Sequence, residues 1–174
     1  MSGPWPPEMA CDFVQMHIED GDFNGAFVVG SEEEVGVVPC FETPRTTCAL
    51  LALQVLAGKL PSPDWVIFLS DTYHIELENE ADHPGSLEAA FKAGDPRVTE
   101  AAVVLCVCPD GPSYQVIQPY VRDGDEIEWG EVDRGKDVIQ AGGVMHDLIV
   151  ALLQTPYGIA PEAACGVEQI RMPL

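Results

Sequence analysis

Residues 101–132 read AAVVLCVCPDGPSYQVIQPYVRDGDEIEWGEV and carry the clearest structural signal in the chain. Three runs rich in strand-forming residues, 101–108, 114–121 and 126–132, are separated by the turn sequences PDGP and DG. Because short turns of this composition join neighbouring antiparallel strands, the stretch predicts a three-strand antiparallel meander. Pro119 cannot donate a hydrogen bond to a neighbouring strand, so we expect a bulge or an edge position there.

The preceding residues predict a long strand and a central helix. An apolar run that becomes an alternating pattern predicts one strand over residues 65–77, with its first half buried. Residues 47–58 are apolar on every side and follow Thr46 and Thr47, either of which suits a helix N-cap. We therefore expect a buried helix over 47–58, and a second, short helix over 87–93.

The N-terminal part of the chain predicts further strands. Three prolines within residues 1–10 favour an extended N-terminal arm. Residues 12–18 are interpreted as a strand with side chains alternating between two faces, and residues 26–29 and 35–38 are short strand candidates separated by a polar turn. Together they predict an N-terminal meander.

The order of these elements predicts an α+β fold. The last helix is expected over residues 138–154, and residues 155–174 are expected to be a C-terminal tail that packs on the domain. Strands and helices come in runs rather than in strict alternation. The sequence therefore predicts a single domain over 11–154, with a mostly antiparallel mixed sheet packed on the helices 47–58 and 138–154. The 174 residues suffice for one domain with its own core.

The composition excludes several classes of partner. Hydrophobic residues make up 47% of the chain, so it can bury enough apolar surface to fold. There are 8 Lys and Arg against 29 Asp and Glu, a formal charge of −21, which disfavours direct binding to nucleic acid or to an anionic membrane. The first 11 residues contain no cation, and no apolar run reaches the roughly 18 residues of a membrane span. We expect no signal peptide, no transmembrane segment and a cytoplasmic protein.

One group of residues suggests metal or hydrolytic chemistry. Asp71, His74, Glu76 and His83 lie within thirteen residues of one another, at the end of the predicted strand and in the loop after it. His74 and Glu76 project from one face of a strand, and His83 offers a further ligand from the loop. The alternative interpretation, which we favour, is a hydrated strand end. The hypothesis kept open is a metal-dependent hydrolase that uses Asp71, His74, Glu76 and His83.

The cysteines suggest a second, thiol-based hypothesis. Six occur, with no Cys-x-x-Cys pair, at positions 11, 40, 48, 106, 108 and 165. Without an export signal we expect reduced thiols, with Cys106 and Cys108 as small core residues. Cys48 begins a helix, where the dipole lowers a thiol pKa, and His74 follows on a strand. This order resembles that of papain-like cysteine peptidases and would imply a Cys48/His74 hydrolase. We favour Cys48 as a packed hydrophobe.

Acidic residues form two dense groups, at 76–82 and at 123–137. In the second group, Glu126 and Glu128 share a strand face opposite Ile127 and Trp129. A face of this kind attracts basic partners and can imitate nucleic-acid phosphates, which suggests an acidic inhibitor of a DNA-binding protein. The alternative, which we favour, is a solvated outer face.

The function expected from the sequence is therefore binding to proteins. The sequence contains no G-x-S-x-G, no G-x-x-x-x-G-K-[ST] and no G-x-G-x-x-G after a strand. We expect a small acidic soluble protein without a catalytic centre or cofactor, acting through a protein partner or as a homo-oligomer. Its size and composition suit an accessory or assembly protein of a phage or bacterium.

Overall fold

The computed structural model describes residues 3–21, 23–134 and 144–159 and has an α+β fold. The helices are α1 (Pro7–Glu19), α2 (Pro44–Leu56), α3 (Leu87–Lys92) and α4 (Val144–Leu153), with a short 3-10 turn at Glu80–Asp82. The strands are β1 (Ala26–Gly30), β2 (Val35–Pro39), β3 (Trp65–Ile75), β4 (Val98–Val107), β5 (Tyr114–Asp123), β6 (Glu126–Trp129) and β7 (Asp133–Arg134).

Within the described ranges the strands form one sheet in which every pair is antiparallel. Its order is β2-β1-β3-β4-β5-β6, and β7 pairs with β5. Strands β4, β5 and β6 are the predicted C-terminal meander. Strands β1 and β2 correspond to the strands predicted at 26–29 and 35–38 and form a hairpin, without the third strand of the predicted N-terminal meander. Pro119 lies between the residues of β5 that pair with β6 and those that pair with β7, so its missing N–H interrupts neither ladder.

Helices cover the sheet on both faces. On one face, Val14 and Ile18 of α1 pack in a cluster with Ile67 of β3 and other buried residues of the central strands. On the other face, Leu51 of α2 and Ile149 of α4 pack in a second buried cluster. Because successive strand side chains point to opposite faces, neighbouring residues of β3 and β4 contribute to different clusters.

The prediction of a strand over 12–18 is wrong, because these residues belong to α1. Ala10, Val14 and Ile18 recur every four residues and are buried together, which is the spacing of a helix face. The alternation that suggested a strand places Val14, Met16 and Ile18 on one side, but in the helix Val14 and Ile18 are buried while Met16 is exposed. The extended arm expected over 1–10 is helical from Pro7, which occupies the first turn, where its missing N–H costs no hydrogen bond.

The central helix begins earlier than predicted. It starts at Pro44 rather than at residue 47, and its N-cap is Thr43, whose hydroxyl accepts from the N–H of Thr46 at 3.1 Å. Thr47 is buried, and its hydroxyl exchanges hydrogen bonds with the backbone N–H and carbonyl of Phe41, at 2.9 and 3.1 Å. These bonds fix the connection between β2 and α2.

The last helix was predicted over residues 138–154. Helix α4 corresponds to the part of it that the structure describes, and residues 138–143 lie outside the described residues. The first residues of the predicted tail turn back onto α2. The N–H of Gly158 donates to the carbonyl of Val55 at 3.0 Å, and the hydroxyl of Tyr157 donates to the carbonyl of Gly58 at 3.1 Å. None of the helices in the described ranges has the length and apolar character that a membrane crossing requires.

Candidate functional site

The four residues of the metal hypothesis occupy successive positions along the chain. Asp71 and His74 lie on β3, Glu76 follows its end, and His83 follows the 3-10 turn. The Nδ1 atom of His83 accepts from the N–H of Gly85 at 3.0 Å. Over residues 3–21, 23–134 and 144–159, no group of three or more His, Cys, Asp or Glu side chains is arranged to hold a metal ion. The structure therefore does not assemble these four residues into one ligand set.

Asp71 instead joins a polar network that links β3, β4 and β5. The hydroxyl of the buried Tyr120 donates to Asp71 Oδ1 at 2.5 Å. The guanidinium of Arg122 lies 3.6 Å from Asp71 Oδ2 and 3.5 Å from Glu100 Oε1. Burial raises the pKa of the Asp71 carboxyl, although the Tyr120 hydroxyl and the Arg122 charge act in the opposite direction. Through these contacts Asp71 links β3 to β5.

Cys48 lies in a setting unlike that of a catalytic thiol. Its sulfur donates to the carbonyl of Leu148 at 3.5 Å, between α2 and α4. Burial raises the pKa of the Cys48 thiol to about 11, whereas a nucleophilic cysteine needs a lowered pKa. Phe68 of β3 packs in the same cluster, and His74 lies six residues farther along that strand, about 20 Å at the usual strand rise.

Cys106, Cys108 and the acidic strand β6 follow the sequence-based expectations, whereas Cys11 and Cys40 are only half-buried and Cys165 lies outside the described residues. Cys106 and Cys108 are buried in the cluster beneath α1. On β6, Glu126 and Glu128 are exposed, while Ile127 and Trp129 are half-buried. The acidic inhibitor hypothesis stays a prediction.

The outer edge of β2 is a different kind of site. In the part of the chain that the structure describes, β2 is an edge strand of the sheet and pairs with β1 alone. An edge strand offers backbone donors and acceptors to any extended chain that approaches it. The residues of β2 therefore decide what this edge can bind.

The hydrogen bonds at both ends of the hairpin show which backbone groups point outward. The N–H of Cys40 donates to the carbonyl of Gly25 at 2.9 Å, and that of Ser31 donates to the carbonyl of Glu34 at 2.8 Å. In an antiparallel ladder, pairs that bond each other alternate with pairs whose N–H and C=O groups point away. The even-numbered residues of β2 thus bond to β1, and the odd-numbered residues point outward.

Three residues of β2 form this outer edge. Val35 and Val37 each present an N–H and a C=O, and Pro39 presents a carbonyl on the same side without an N–H. Both valine side chains are partly exposed, 42% for Val35 and 41% for Val37. Among the residues that the structure describes, the edge thus combines backbone groups that have no strand partner with accessible apolar surface.

A small apolar cavity of about 100 Å³ adjoins β2 on the face that carries α2 and α4. Its apolar lining includes Leu51, Val55 and Leu152, and Gly36 of β2 forms part of its wall. A Cβ atom at Gly36 would meet a single neighbour within 4 Å, Cγ2 of Val29 at 3.9 Å. The missing side chain of Gly36 thus leaves the cavity accessible from the strand.

An acidic groove of about 530 Å³ continues from this cavity past the turn between β1 and β2. Its charged lining residues are the carboxylates of Glu32, Glu33, Glu34 and Asp64 and the amine of Lys59. Glu34 lines both the cavity and the groove. The edge of β2 therefore runs from an apolar site into an anionic one.

The sequence predicts the strand at 35–38 but not its position at the edge of the sheet. Two signals were available, since a proline at the end of a strand and acidic residues just before it are common at sheet edges. The cavity has no local signal, because its walls come from β1, β2, α2, α4 and the loop before β3.

No protein-family model, curated protein or solved structure matches this chain.

Proposed function

We propose that this protein is a protein-binding module that takes an extended segment of another protein as an additional strand on the outer edge of β2. The single observation that carries the proposal is the row of outward N–H and C=O groups on Val35 and Val37. Addition of a strand to such an edge supplies main-chain hydrogen bonds whatever the partner's sequence. Each bond contributes about 1 kcal/mol, so side-chain contacts must add to the affinity.

Side-chain contacts are available on both faces of the incoming strand. On one face, Val35 and Val37 are partly exposed and can form apolar cross-strand pairs. On the other face, the position opposite Gly36 lies over the cavity, and a partner side chain there would replace the one that Gly36 lacks. An extended segment with apolar residues at three successive positions fits this edge.

The charge of the chain favours another protein over a second copy. Each chain carries a formal charge of −21, so two copies repel one another. A symmetric antiparallel pairing centred on Val37 would also bring the acidic turn that precedes β2 in each copy toward Glu42 of the other, where like charges repel.

The experiment uses a neutral peptide as the probe. The acetylated, amidated heptapeptide TSVLVST is titrated into ¹⁵N-labelled protein, and amide spectra and amide exchange are recorded. We expect shift changes centred on β2, with slower exchange of the Val35 and Val37 amides. Shift changes centred elsewhere, or no changes at millimolar peptide, would refute the proposal.

Two variants of Val37 separate strand addition from nonspecific contact. Val37→Pro removes an outward N–H and puts a ring in its place while leaving the bonds of the even-numbered residues to β1, so binding should be lost. Val37→Thr keeps the N–H and the branched shape, so the affinity should stay within about fivefold, since cross-strand contacts of this kind differ by up to about 1 kcal/mol. Equal binding by the wild type and both variants would contradict the proposal.

A further inference from the structure

The edge of β2 also specifies the sequence of its partner. We infer that the incoming strand carries an aliphatic residue and, two positions away, a lysine or arginine. This inference rests on the proposed function and adds the chemistry of the segment that binds.

The spacing follows from strand geometry. The side chain of a partner residue opposite Gly36 points toward the cavity, on the face of the sheet that carries α2. Side chains alternate along a strand, so the residue two positions away points to the same face, about 7 Å farther along. In one of the two directions along the strand, that residue lies opposite Glu34, where the cavity meets the acidic groove.

The charge requirement follows from the groove. Four carboxylates and one amine, that of Lys59, line it. A carboxylate from the partner would be repelled there, and a neutral side chain would gain nothing from the charge. A guanidinium binds carboxylates through paired hydrogen bonds, and an ammonium binds them as a point charge.

The aliphatic requirement follows from the cavity. Its volume is about 100 Å³, and Leu51, Val55 and Leu152 contribute apolar walls. A branched aliphatic side chain removes this apolar surface from water, whereas a polar side chain would leave its hydrogen bonds unmade.

Three fluorescein-labelled heptapeptides test the inference by anisotropy. TRVLVRT places an arginine two positions from leucine on both sides, so it presents the required spacing in either strand direction. RTVLVTR has the same composition but places both arginines three positions away, on the opposite face. TEVLVET reverses the charge. We expect TRVLVRT to bind about fivefold tighter than RTVLVTR and at least about tenfold tighter than TEVLVET.

Matched protein variants locate the effect. Glu34→Gln should remove most of the advantage of TRVLVRT over RTVLVTR, whereas Glu128→Gln, on the distant strand β6, should leave it unchanged. Gly36→Leu should weaken all peptides by filling the cavity from within. Glu34→Gln and Gly36→Leu each alter a single feature of the edge, and Glu128→Gln is the control.

The outcomes separate the two proposals. If TSVLVST binds at β2 but TRVLVRT, RTVLVTR and TEVLVET bind equally well, the inference fails and the proposed function stands. If none of the peptides binds, both fail. If the free protein sediments as a dimer that Val37→Pro dissociates, a second copy occupies the edge, and both proposals are overturned.

Discussion

Replacing Gly30 by alanine should destabilise the protein, whereas the same change at Gly36 should not. The two glycines lie in adjacent strands of one hairpin: Gly30 is the last residue of β1, and Gly36 lies within β2. A Cβ atom at Gly30 would lie 2.1 Å from both Cε2 and Cζ2 of Trp65, on the neighbouring strand. A Cβ atom at Gly36 would make one ordinary contact, at 3.9 Å.

The magnitude follows from how far Trp65 must move. Carbon atoms pack at about 3.5 to 4.0 Å, so the indole ring must shift by roughly 1.5 Å. Trp65 is 2% exposed and belongs to the cluster beneath α1, so its neighbours must move as well. Forced overpacking of this kind costs about 1 to 3 kcal/mol, and alanine recovers about 0.5 to 1 kcal/mol of chain entropy relative to glycine. Because the clash is severe and Trp65 is buried, the overpacking cost should lie near the upper end of this range, about 3 kcal/mol. After the entropy gain, we expect Gly30→Ala to lose about 2 kcal/mol and Gly36→Ala to gain up to about 1 kcal/mol.

Urea unfolding followed by circular dichroism measures both variants against the wild type. For a chain of this size the loss corresponds to a Tm about 4 to 8 °C lower. Trp65→Phe provides the matched background, because the smaller ring leaves room for the new methyl group. The cost of Gly30→Ala should be at least about 1 kcal/mol smaller in that background. Equal stability of Gly30→Ala and the wild type, or an undiminished cost beside phenylalanine, would refute the reasoning.

Two further outcomes follow from titratable groups that are partly or fully buried, Asp71 and Cys48. Because burial raises the folded-state pKa of Asp71 above its ordinary 3.8, its contribution to stability is present in full at lower pH and is lost as the pH rises through the folded pKa. As the pH increases from 3 to about 7, the free energy of unfolding of the wild type should therefore decrease relative to that of Asp71→Asn. An increase would contradict the assignment. Because burial raises the pKa of the Cys48 thiol to about 11, iodoacetamide at pH 7.5 should modify Cys48 in urea but not in the native protein, as read by peptide mass spectrometry. Rapid modification of the native protein would restore the thiol hypothesis.

The fold class was accessible from the sequence wherever one structural period dominated. The turns and apolar runs of residues 101–132 determine the meander locally, and β4, β5 and β6 follow it. The N-terminal helix was missed because α1 has apolar side chains at both strand-like and helix-like spacings. Burial of Ala10, Val14 and Ile18 against the sheet selects the helix, and that contact is not visible in a local window.

The candidate site was less accessible, for a physical reason. Whether β2 lies at an edge depends on the order of all strands in the sheet, which residues 35–39 do not encode. The cavity requires α2 and α4 to approach β2 from distant parts of the sequence. The residues that the sequence suggests, such as Asp71, His74 and Cys48, have reactive side chains, whereas the edge consists of valine, glycine and backbone groups.

The acidic turn that precedes β2 has a consequence for handling the protein. Natural sheets protect open edges with charged residues, and Glu32, Glu33 and Glu34 stand where they can serve as gatekeepers against aggregation through Val35 and Val37. Near the isoelectric point of about 4.1 the net charge of the chain falls to zero, and the electrostatic repulsion between chains is lost. Acidified, concentrated samples should then form sheet-rich aggregates nucleated at β2, so colloidal stability requires buffers well above that pH.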